Sequence, residues 1–487
     1  MESDWRCGHE MFLVSCETIP RLSILNRTKW NRIQAWCRSD GILIQFSPRD
    51  YMKKTKSNGP RLYYGWVIVG VLALAGFTQT SQTFPVWGVL LKPITEEMGW
   101  SRTAFSGAMG VGTVLGAFVG LAVAPFIDRV GPRWPMVGAF AVIGLSLVFM
   151  AGMDALWQFY LLLVLGRVLH LGVVSISTES TIPKWFMAKR GMAVGIGTSG
   201  NRIGSAITPV YVQALILLSS WRLSLVVIGI VVWVVSLVPV ALFMRRGPEE
   251  LGLQPDGAPA PPLRGPMPGI EPSGQSRMLN ADGPAYSRAQ VLRTRAFYML
   301  MGADAVLMTV IPTTSLHLIP FFTDRGISPE FGVAVVALSS LIGVVGSLVA
   351  GWLRDRVGSQ RVAMVSFLSF GGLFVLLPLV FSPTSALLWG LGYGLIQGAI
   401  IISVQVLIAD YFGPRHLAAI RGMVMPVRSV GQAAGPVLAG IAFDTTGGYG
   451  AVFAAFVVLN LCAAGLIFFA KQPVVPPLPL PAIDPQP

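Results

Sequence analysis

Apolar runs of about twenty residues recur along most of this chain, separated by short polar stretches. A helix needs about 20 mainly apolar residues to cross the hydrocarbon layer of a bilayer. The runs are continuous and do not alternate with polar residues, so they predict helices and not barrel strands. The twelve runs are 64–91, 102–125, 133–152, 156–180, 190–217, 221–244, 296–321, 330–353, 361–381, 384–409, 418–441 and 449–470. We therefore expect an all-α polytopic membrane protein with twelve transmembrane helices.

Composition and charge placement agree with a membrane protein. The chain is 53% hydrophobic and 12% charged, whereas soluble domains are about 25% charged. The net charge of +13 would admit nucleic acid as a partner. However, Lys and Arg gather on alternate connections between the helices, and the other side carries only Lys92, Arg102, Arg222 and Arg325. This positive-inside pattern predicts the lipid bilayer as the partner, a cell (inner) membrane location and cytoplasmic termini.

A segment rich in Pro and Gly between Arg245 and Arg295 divides the helices into two sets of six, and its composition predicts a flexible linker. For the first 51 residues two alternatives stay open: a cytoplasmic tail, or natural translation that starts at Met52. The expected domains are a cytoplasmic N-terminal tail (1–63), a six-helix bundle (64–245), a cytoplasmic linker (246–295), a second six-helix bundle (296–471) and a cytoplasmic Pro-rich tail (472–487).

The two halves repeat one another. "PFIDRVGPRW" follows helix 2 and "GWLRDRVGSQR" follows helix 8, and their acids, Asp128 and Asp355, lie 227 positions apart. "KRGMAVGIGTSGNRIG" opens helix 5 and "IRGMVMPVRSVGQAAG" opens helix 11, with Gly200 equivalent to Gly431. Repeats of six helices place a substrate site between the halves near the membrane midplane, which predicts a carrier and not a channel.

The charged repeat resembles the Gly-x-x-x-Asp-Arg-x-Gly-x-Arg loop of the major facilitator superfamily, although Ala124 stands where the second half has Gly351. The resemblance implies the major facilitator fold. A carboxylate at a helix end can pair with nearby Arg, and movement of one half can make or break such contacts. We therefore predict a cytoplasmic gate made of Asp128, Arg129, Arg133, Asp355, Arg356 and Arg361.

A finer resemblance lies in "YYGWVIVG", "FPVWGVLLKPITEEMGWSRTAFSGA" and "RRGPEELGLQPDG", which are similar to monocarboxylate porters and bacterial oxalate/formate antiporter relatives. It implies a carrier of a small organic anion, with a monocarboxylate as the expected cargo, that works by alternating access driven by protons or a counter-anion. Two departures prevent transfer of cargo and coupling. The animal porters have a lysine at the position of Val86, and they place an Asp and an Arg in helix 8, which lacks both here.

Three arginines inside the runs are candidates for binding the anion. A buried charge in a membrane is costly, and a guanidinium fork matches a carboxylate. Arg428 in helix 11 could instead be a gate contact, Arg167 in helix 4 could brace backbone carbonyls, and Arg202 in helix 5 could pair with Asp304. The uncharged candidates for the same site are Gln79, Gln82 and Gln405.

Asp304, His170 and His317 are the candidates for proton coupling. Asp304 lies within helix 7, where a permanent salt bridge is the alternative. His170 lies one turn from Arg167. His317 follows Pro312, at which we expect a break in helix 7 near its outer end. A buried, satisfied histidine is the alternative for His317.

Other functions remain as alternatives. An efflux antiporter for hydrophobic or cationic compounds would use Asp304 and aromatic walls, and a non-transporting sensor would need a signalling domain. The sequence has no nucleotide-binding glycine loop, metal-ligand spacing or paired-carboxylate site, so we predict no cofactor, no metal and no enzyme. Cys7, Cys16, Cys37 and Cys462 predict no disulfide framework.

Overall fold

A computed structural model describes residues 63–186, 189–254, 256, 288–412 and 417–472. Three predictions fall outside these residues: the N-terminal tail with its possible start at Met52, most of the linker, and nearly all of the C-terminal tail.

The described residues form long helices, which confirms the all-helical membrane fold. Ten of the helices are long and apolar enough to cross a membrane. They are α1 (Tyr64–Met98), α2 (Arg102–Val130), α3 (Arg133–Met150), α4 (Leu156–Trp185), α6 (Trp221–Phe243), α7 (Arg295–Asp324), α8 (Pro329–Val357), α9 (Ser359–Leu379), α10 (Pro383–Phe412) and α12 (Gly450–Phe469). Two others, α5 (Arg190–Leu218) and α11 (Leu417–Thr446), are equally long but are interrupted by polar residues.

Several helices are longer or less regular than the sequence predicts. Helix α1 extends to Met98, and a 3₁₀ segment at Thr80–Gln82 interrupts it. Helix α4 contains a π-helical segment at His170–Ser175. Such departures from regular α-helix are frequent at functional positions in membrane helices.

The expected break of helix 7 at Pro312 is wrong. Helix α7 is continuous from Arg295 to Asp324, with Pro312 and Pro320 inside it. Proline removes one backbone hydrogen bond, but neighbouring helices can compensate within a membrane bundle.

The internal repeat has a packing counterpart in each half. A Cβ on Gly200 of α5 would lie 1.8 Å from the carbonyl oxygen of Ala73 in α1. At the equivalent position, a Cβ on Gly431 of α11 would lie 3.0 Å from the carbonyl oxygen of Ala305 in α7. Each half thus packs its fifth helix closely against its first at an equivalent glycine, because a larger residue there would push the two backbones apart.

The two halves meet mainly along three helix pairs: α1 with α7, α2 with α11, and α5 with α8. Asp128 and Asp355 belong to the charged repeats, so we call the end of the bundle that carries them the charged-repeat end. We call the opposite end the latch end. Among the described residues, every hydrogen bond and ion pair between the halves lies at the latch end, within residues 92–106 and 317–449. The structure is therefore held closed at the latch end.

Candidate functional site

Arg428 of α11 and Asp304 of α7 form an ion pair inside the second half. Arg428 Nε lies 3.3 Å from Asp304 Oδ2, and the side chains are 27% and 5% exposed. The contact lacks hydrogen-bond geometry, because Asp304 Oδ2 is buried without a hydrogen-bond donor. A pair held by attraction alone can be separated at lower cost than a bidentate, hydrogen-bonded pair.

The remaining donors near this pair face a weak acceptor. Arg428 Nη2 lies 3.4 Å from Met308 Sδ, and Gln432 Nε2 lies 3.5 Å from the same sulfur. Gln432 is one turn beyond Arg428 on α11, so both donors converge on one point. A thioether is among the poorest acceptors in proteins and sits on a flexible side chain. A carboxylate would satisfy both donors better than Met308 does.

Arg202 does not pair with Asp304, so the structural alternative considered for Arg202 is wrong. Asp304 is engaged by Arg428, whereas Arg202 is exposed and makes no ion pair or hydrogen bond with another described residue. Thr198, one turn earlier on α5, is exposed on the same face. Helix rotation explains the difference, because α5 packs its glycine face against α1 and directs Arg202 away from that contact.

Arg167 is 2% exposed and supports the break in α1. Its Nε donates to Thr113 Oγ1 at 2.8 Å, and its Nη1 donates to the backbone carbonyl of Gln82 at 2.5 Å. Its guanidinium carbon lies 4.2 Å from the ring centroid of Phe84. No carboxylate among the described residues pairs with it. These contacts match the bracing alternative, since a carbonyl freed by the 3₁₀ segment needs a donor.

The other polar candidates of the first half surround the same break. Gln79 Nε2 donates to Ser175 Oγ of the π segment at 2.6 Å. Gln82 and His170 are buried, and Gln82 Oε1 and His170 Nδ1 have no hydrogen-bond partner. The structure thus groups Gln79, Gln82, Arg167 and His170 where α1 and α4 are both irregular.

Gln405 of α10 stands apart from both groups. It is half-buried and forms no hydrogen bond with another described residue.

A polar cluster joins the halves at the latch end. Arg102, the first residue of α2, holds Asp324 of α7 with both arms of its guanidinium, Nη1 to Oδ2 at 2.8 Å and Nη2 to Oδ1 at 3.0 Å. Lys92 also contacts Asp324, with Nζ donating to Oδ1 at 3.1 Å. A bidentate pair of this kind fixes both distance and orientation.

Asp444 near the end of α11 caps the start of α2. It accepts hydrogen bonds from the backbone N–H of Arg102 at 3.2 Å and of Thr103 at 2.9 Å. A carboxylate is favourable there, because the first N–H groups of a helix lack partners within the helix.

His317 completes this cluster and is 4% exposed. Its Nδ1 lies 3.0 Å from Tyr449 Oη, and its Nε2 lies 3.0 Å from the carbonyl oxygen of Pro436 and 3.3 Å from Ser106 Oγ. Tyr449 Oη in turn accepts from Arg102 Nη1 at 2.6 Å. We call the eight residues involved the latch: Lys92, Arg102, Thr103 and Ser106 of the first half, and His317, Asp324, Asp444 and Tyr449 of the second.

The charged repeats lie in the last turns of α2 and α8, and Gly131 and Gly358 end these helices with φ of +92° and +88°. The expected pairing of their acids with nearby Arg is not found. Asp128 is held by Lys184 of α4 at 3.1 Å, and Asp355 forms no ion pair with a described residue.

The arginines of the repeats have other contacts within their own halves. Arg133 donates to the carbonyl of Ala241, and Arg356 stacks 4.0 Å from the ring centroid of Trp352. Arg129 and Arg361 make no ion pair with another described residue. In this conformation the repeats therefore make no polar contact between the halves among the described residues.

Sequence reasoning missed Met308 and Gln432 beside Arg428, and it counted Lys92 and Arg102 only as topology markers. Met308 is uncharged and carried no signal. For Arg102 a signal did exist, because Asp324 and Asp444 are acids at the latch-side ends of apolar helices and invite cationic partners.

Two bundles of long apolar helices that, among the described residues, share polar contacts only at one end have the architecture of a membrane transporter and not of an enzyme. The chain belongs to the Major Facilitator Superfamily, whose sequence profile matches residues 68–402.

Curated relatives and solved structures agree with this family. Human monocarboxylate transporter 11 is 27% identical over 429 residues, which is 84% of this chain and 83% of that protein. Monocarboxylate transporter 12-B of Danio rerio is 25% identical over 307 residues, 60% of this chain and 64% of its own length. The chain thus matches somewhat under two thirds of the transporter 12 relative.

Two solved structures share the fold at 16% sequence identity. One is a bacterial homolog of the human lysosomal transporter Spinster in an inward-facing and occupied conformation, with a TM-score of 0.65, covering 85% of this chain and 97% of that one. The other is a D-xylose-proton symporter, with a TM-score of 0.63, covering 85% of this chain and all of that one.

Proposed function

We propose that this transporter moves a small monocarboxylate together with a proton, and that Arg428 binds the carboxylate. The observation that carries the proposal is the convergence of Arg428 and Gln432 donors on Met308 Sδ beside an ion pair without a hydrogen bond. The names of the monocarboxylate transporter relatives support the same cargo class.

Coupling follows from the chemistry of the pair. A substrate carboxylate that takes both Nη donors of Arg428 competes with Asp304 for the single positive charge. Asp304 is buried, and a buried carboxylate without a counter-charge takes up a proton. One anion and one proton then bind together, so the loaded site keeps the charge of the empty one. An anion and a proton together add no net charge, and moving no net charge through the low-dielectric interior of a helix bundle costs the least free energy.

The distribution of Lys and Arg supports a location in a cell (inner) membrane, with the charged-repeat end and both termini on the cytoplasmic side. The latch then closes the outer side, and the conformation described here faces inward.

The efflux alternative needs a carboxylate that a cationic compound can reach. Asp304 is buried and already engaged by Arg428, which favours an anionic cargo.

Uptake of labelled lactate, pyruvate, formate and acetate into proteoliposomes, with and without an inward proton gradient, tests the proposal. We expect proton-driven accumulation of at least one acid, reduced about 10–100-fold in Arg428→Gln, as expected for loss of a charge-assisted hydrogen bond. Asp304→Asn should retain exchange of the acid but lose accumulation driven by the proton gradient.

Arg202→Gln is the matched control, since it removes an intramembrane arginine that has no contact with Asp304. Accumulation that depends on Arg202 and not on Arg428 would place the anion elsewhere. Accumulation by Asp304→Asn under a proton gradient, or uptake driven only by a counter-anion, would contradict coupling through Asp304.

A further inference from the structure

The contacts of His317 fit a neutral imidazole that carries its proton on Nε2. The carbonyl oxygen of Pro436 can only accept, so the imidazole Nε2 that lies 3.0 Å from it carries a proton. Tyr449 Oη accepts from Arg102 Nη1, which leaves its own O–H able to donate to His317 Nδ1, 3.0 Å away. The imidazole Nδ1 is then an acceptor and the ring is neutral. These three hydrogen bonds form a series that runs from Arg102 through Tyr449 and His317 to the Pro436 carbonyl. Every donor in this series meets an acceptor.

A second proton at Nδ1 would disrupt this series. Nδ1 would become a donor facing a hydroxyl that already accepts from Arg102, so the Tyr449 O–H would lose its acceptor. An imidazolium would also lie close to the Arg102 guanidinium.

The surrounding acids cannot easily compensate for that charge. The titratable and charged groups of the helices around His317 are Lys92, Glu96, Arg102, Asp324, Asp444 and Tyr449. Asp324 is already shared by Arg102 and Lys92, and Asp444 is taken by the start of α2. Glu96 is 66% exposed and pairs with Lys92 at 3.8 Å. None of the three acids contacts the imidazole, whose polar neighbours are Tyr449, Ser106 and the Pro436 carbonyl. Protonation therefore places a positive charge on a buried ring that has no carboxylate against it.

We propose that His317 is the proton-binding site of the latch, which is closed when His317 is neutral and opens when a proton binds at Nδ1. Separation of the halves hydrates the imidazolium and moves it away from Arg102, so the open state binds the proton more tightly. Protons on the latch side thereby favour the conformation open to that side. This site is separate from Asp304 and Arg428, and it sets access to the carrier whatever the cargo is.

Distance measurement between spin labels on the two halves tests the proposal in the full chain. Gly152→Cys and Thr384→Cys place labels at exposed latch-end positions, with Cys7, Cys16, Cys37 and Cys462 replaced by Ser. Double electron–electron resonance in nanodiscs is recorded from about pH 8 to about pH 5.5, the range in which histidine changes charge. We expect a population with a longer distance that grows at least about threefold as the pH falls.

Two variants with opposite expected effects make the test decisive. His317→Gln keeps a donor for Pro436 but cannot take up a proton, so the distance should stay short at every pH. Tyr449→Phe removes the hydroxyl that links Arg102 to His317, so the long distance should appear even at about pH 8. Size-exclusion chromatography and circular dichroism verify that each variant is folded.

His170→Gln is the matched control, because it removes the other buried histidine of the described residues without touching the latch, and its response to pH should equal that of the parent. A pH response that survives in His317→Gln, or that disappears in His170→Gln, overturns the proposal. A parent protein whose distance distribution is the same at both pH values overturns it as well.

Discussion

The pairing of Arg428 with Asp304 predicts that their substitutions are not additive. The charged atoms are 3.3 Å apart, which at an effective dielectric constant of about 20 is a gross attraction of about 5 kcal/mol. Arg428 is 27% exposed and keeps part of its hydration, so we expect a net coupling of about 1–3 kcal/mol. Arg428→Gln leaves a buried acid without a counter-charge, and Asp304→Asn leaves a partly hydrated cation. The first change should therefore destabilise the protein more.

Thermal unfolding of the purified protein in one detergent and at one scan rate measures this coupling. Each kcal/mol shifts Tm by about 2–4 °C in chains of 150–250 residues and by less in a longer chain. The double variant Arg428→Gln/Asp304→Asn should therefore melt a few degrees higher than the sum of the single changes predicts. Arg202→Gln combined with Asp304→Asn serves as the control and should be additive. Additive Tm shifts for the Arg428 and Asp304 pair would refute the ion pair as a stabilising contact.

Two further predictions concern packing in the first half. Gly200→Ala should lower Tm by an amount equivalent to about 1–3 kcal/mol, because the new Cβ overlaps the Ala73 carbonyl. Gly195→Ala, whose Cβ would meet nothing within 4 Å, should not lower it, and equal effects would contradict the close contact of α1 with α5. Arg167→Gln should lower Tm, since the Gln82 carbonyl loses its donor at a cost of about 1–3 kcal/mol. It should leave the KM for substrate unchanged, and a raised KM would instead assign Arg167 to the cargo.

The fold could be predicted almost completely from the chain. Hydropathy over about twenty residues is a local property, so it locates membrane helices without any tertiary information. The repeat of Gly200 at Gly431 indicated two related halves, and the structure shows the corresponding packing of the fifth helix on the first in each half. Irregularities were not predictable in the same way. Pro312 was expected to break α7, yet neighbouring helices keep it continuous.

The candidate site was predicted only as a set of residues. Arg428, Arg202 and Asp304 stood out because intramembrane charges are costly, and that cost can be read from sequence. Which arginine meets the acid depends on the rotation of α5 and α11 about their axes, and a rotation of one residue changes the direction of a side chain by about 100°. Only the packed structure sets these rotations.

The sequence by itself therefore determined the membrane helices, their division into two related halves and the types of residue available for binding an anion, because each depends on local composition or on internal repetition. The tertiary structure alone decided that Asp304 pairs with Arg428, that Gln432 converges on Met308, and that Arg102 and His317 belong to one latch across the two halves. These contacts join residues on different helices, and they exist only once the helices have packed and taken up their relative rotations.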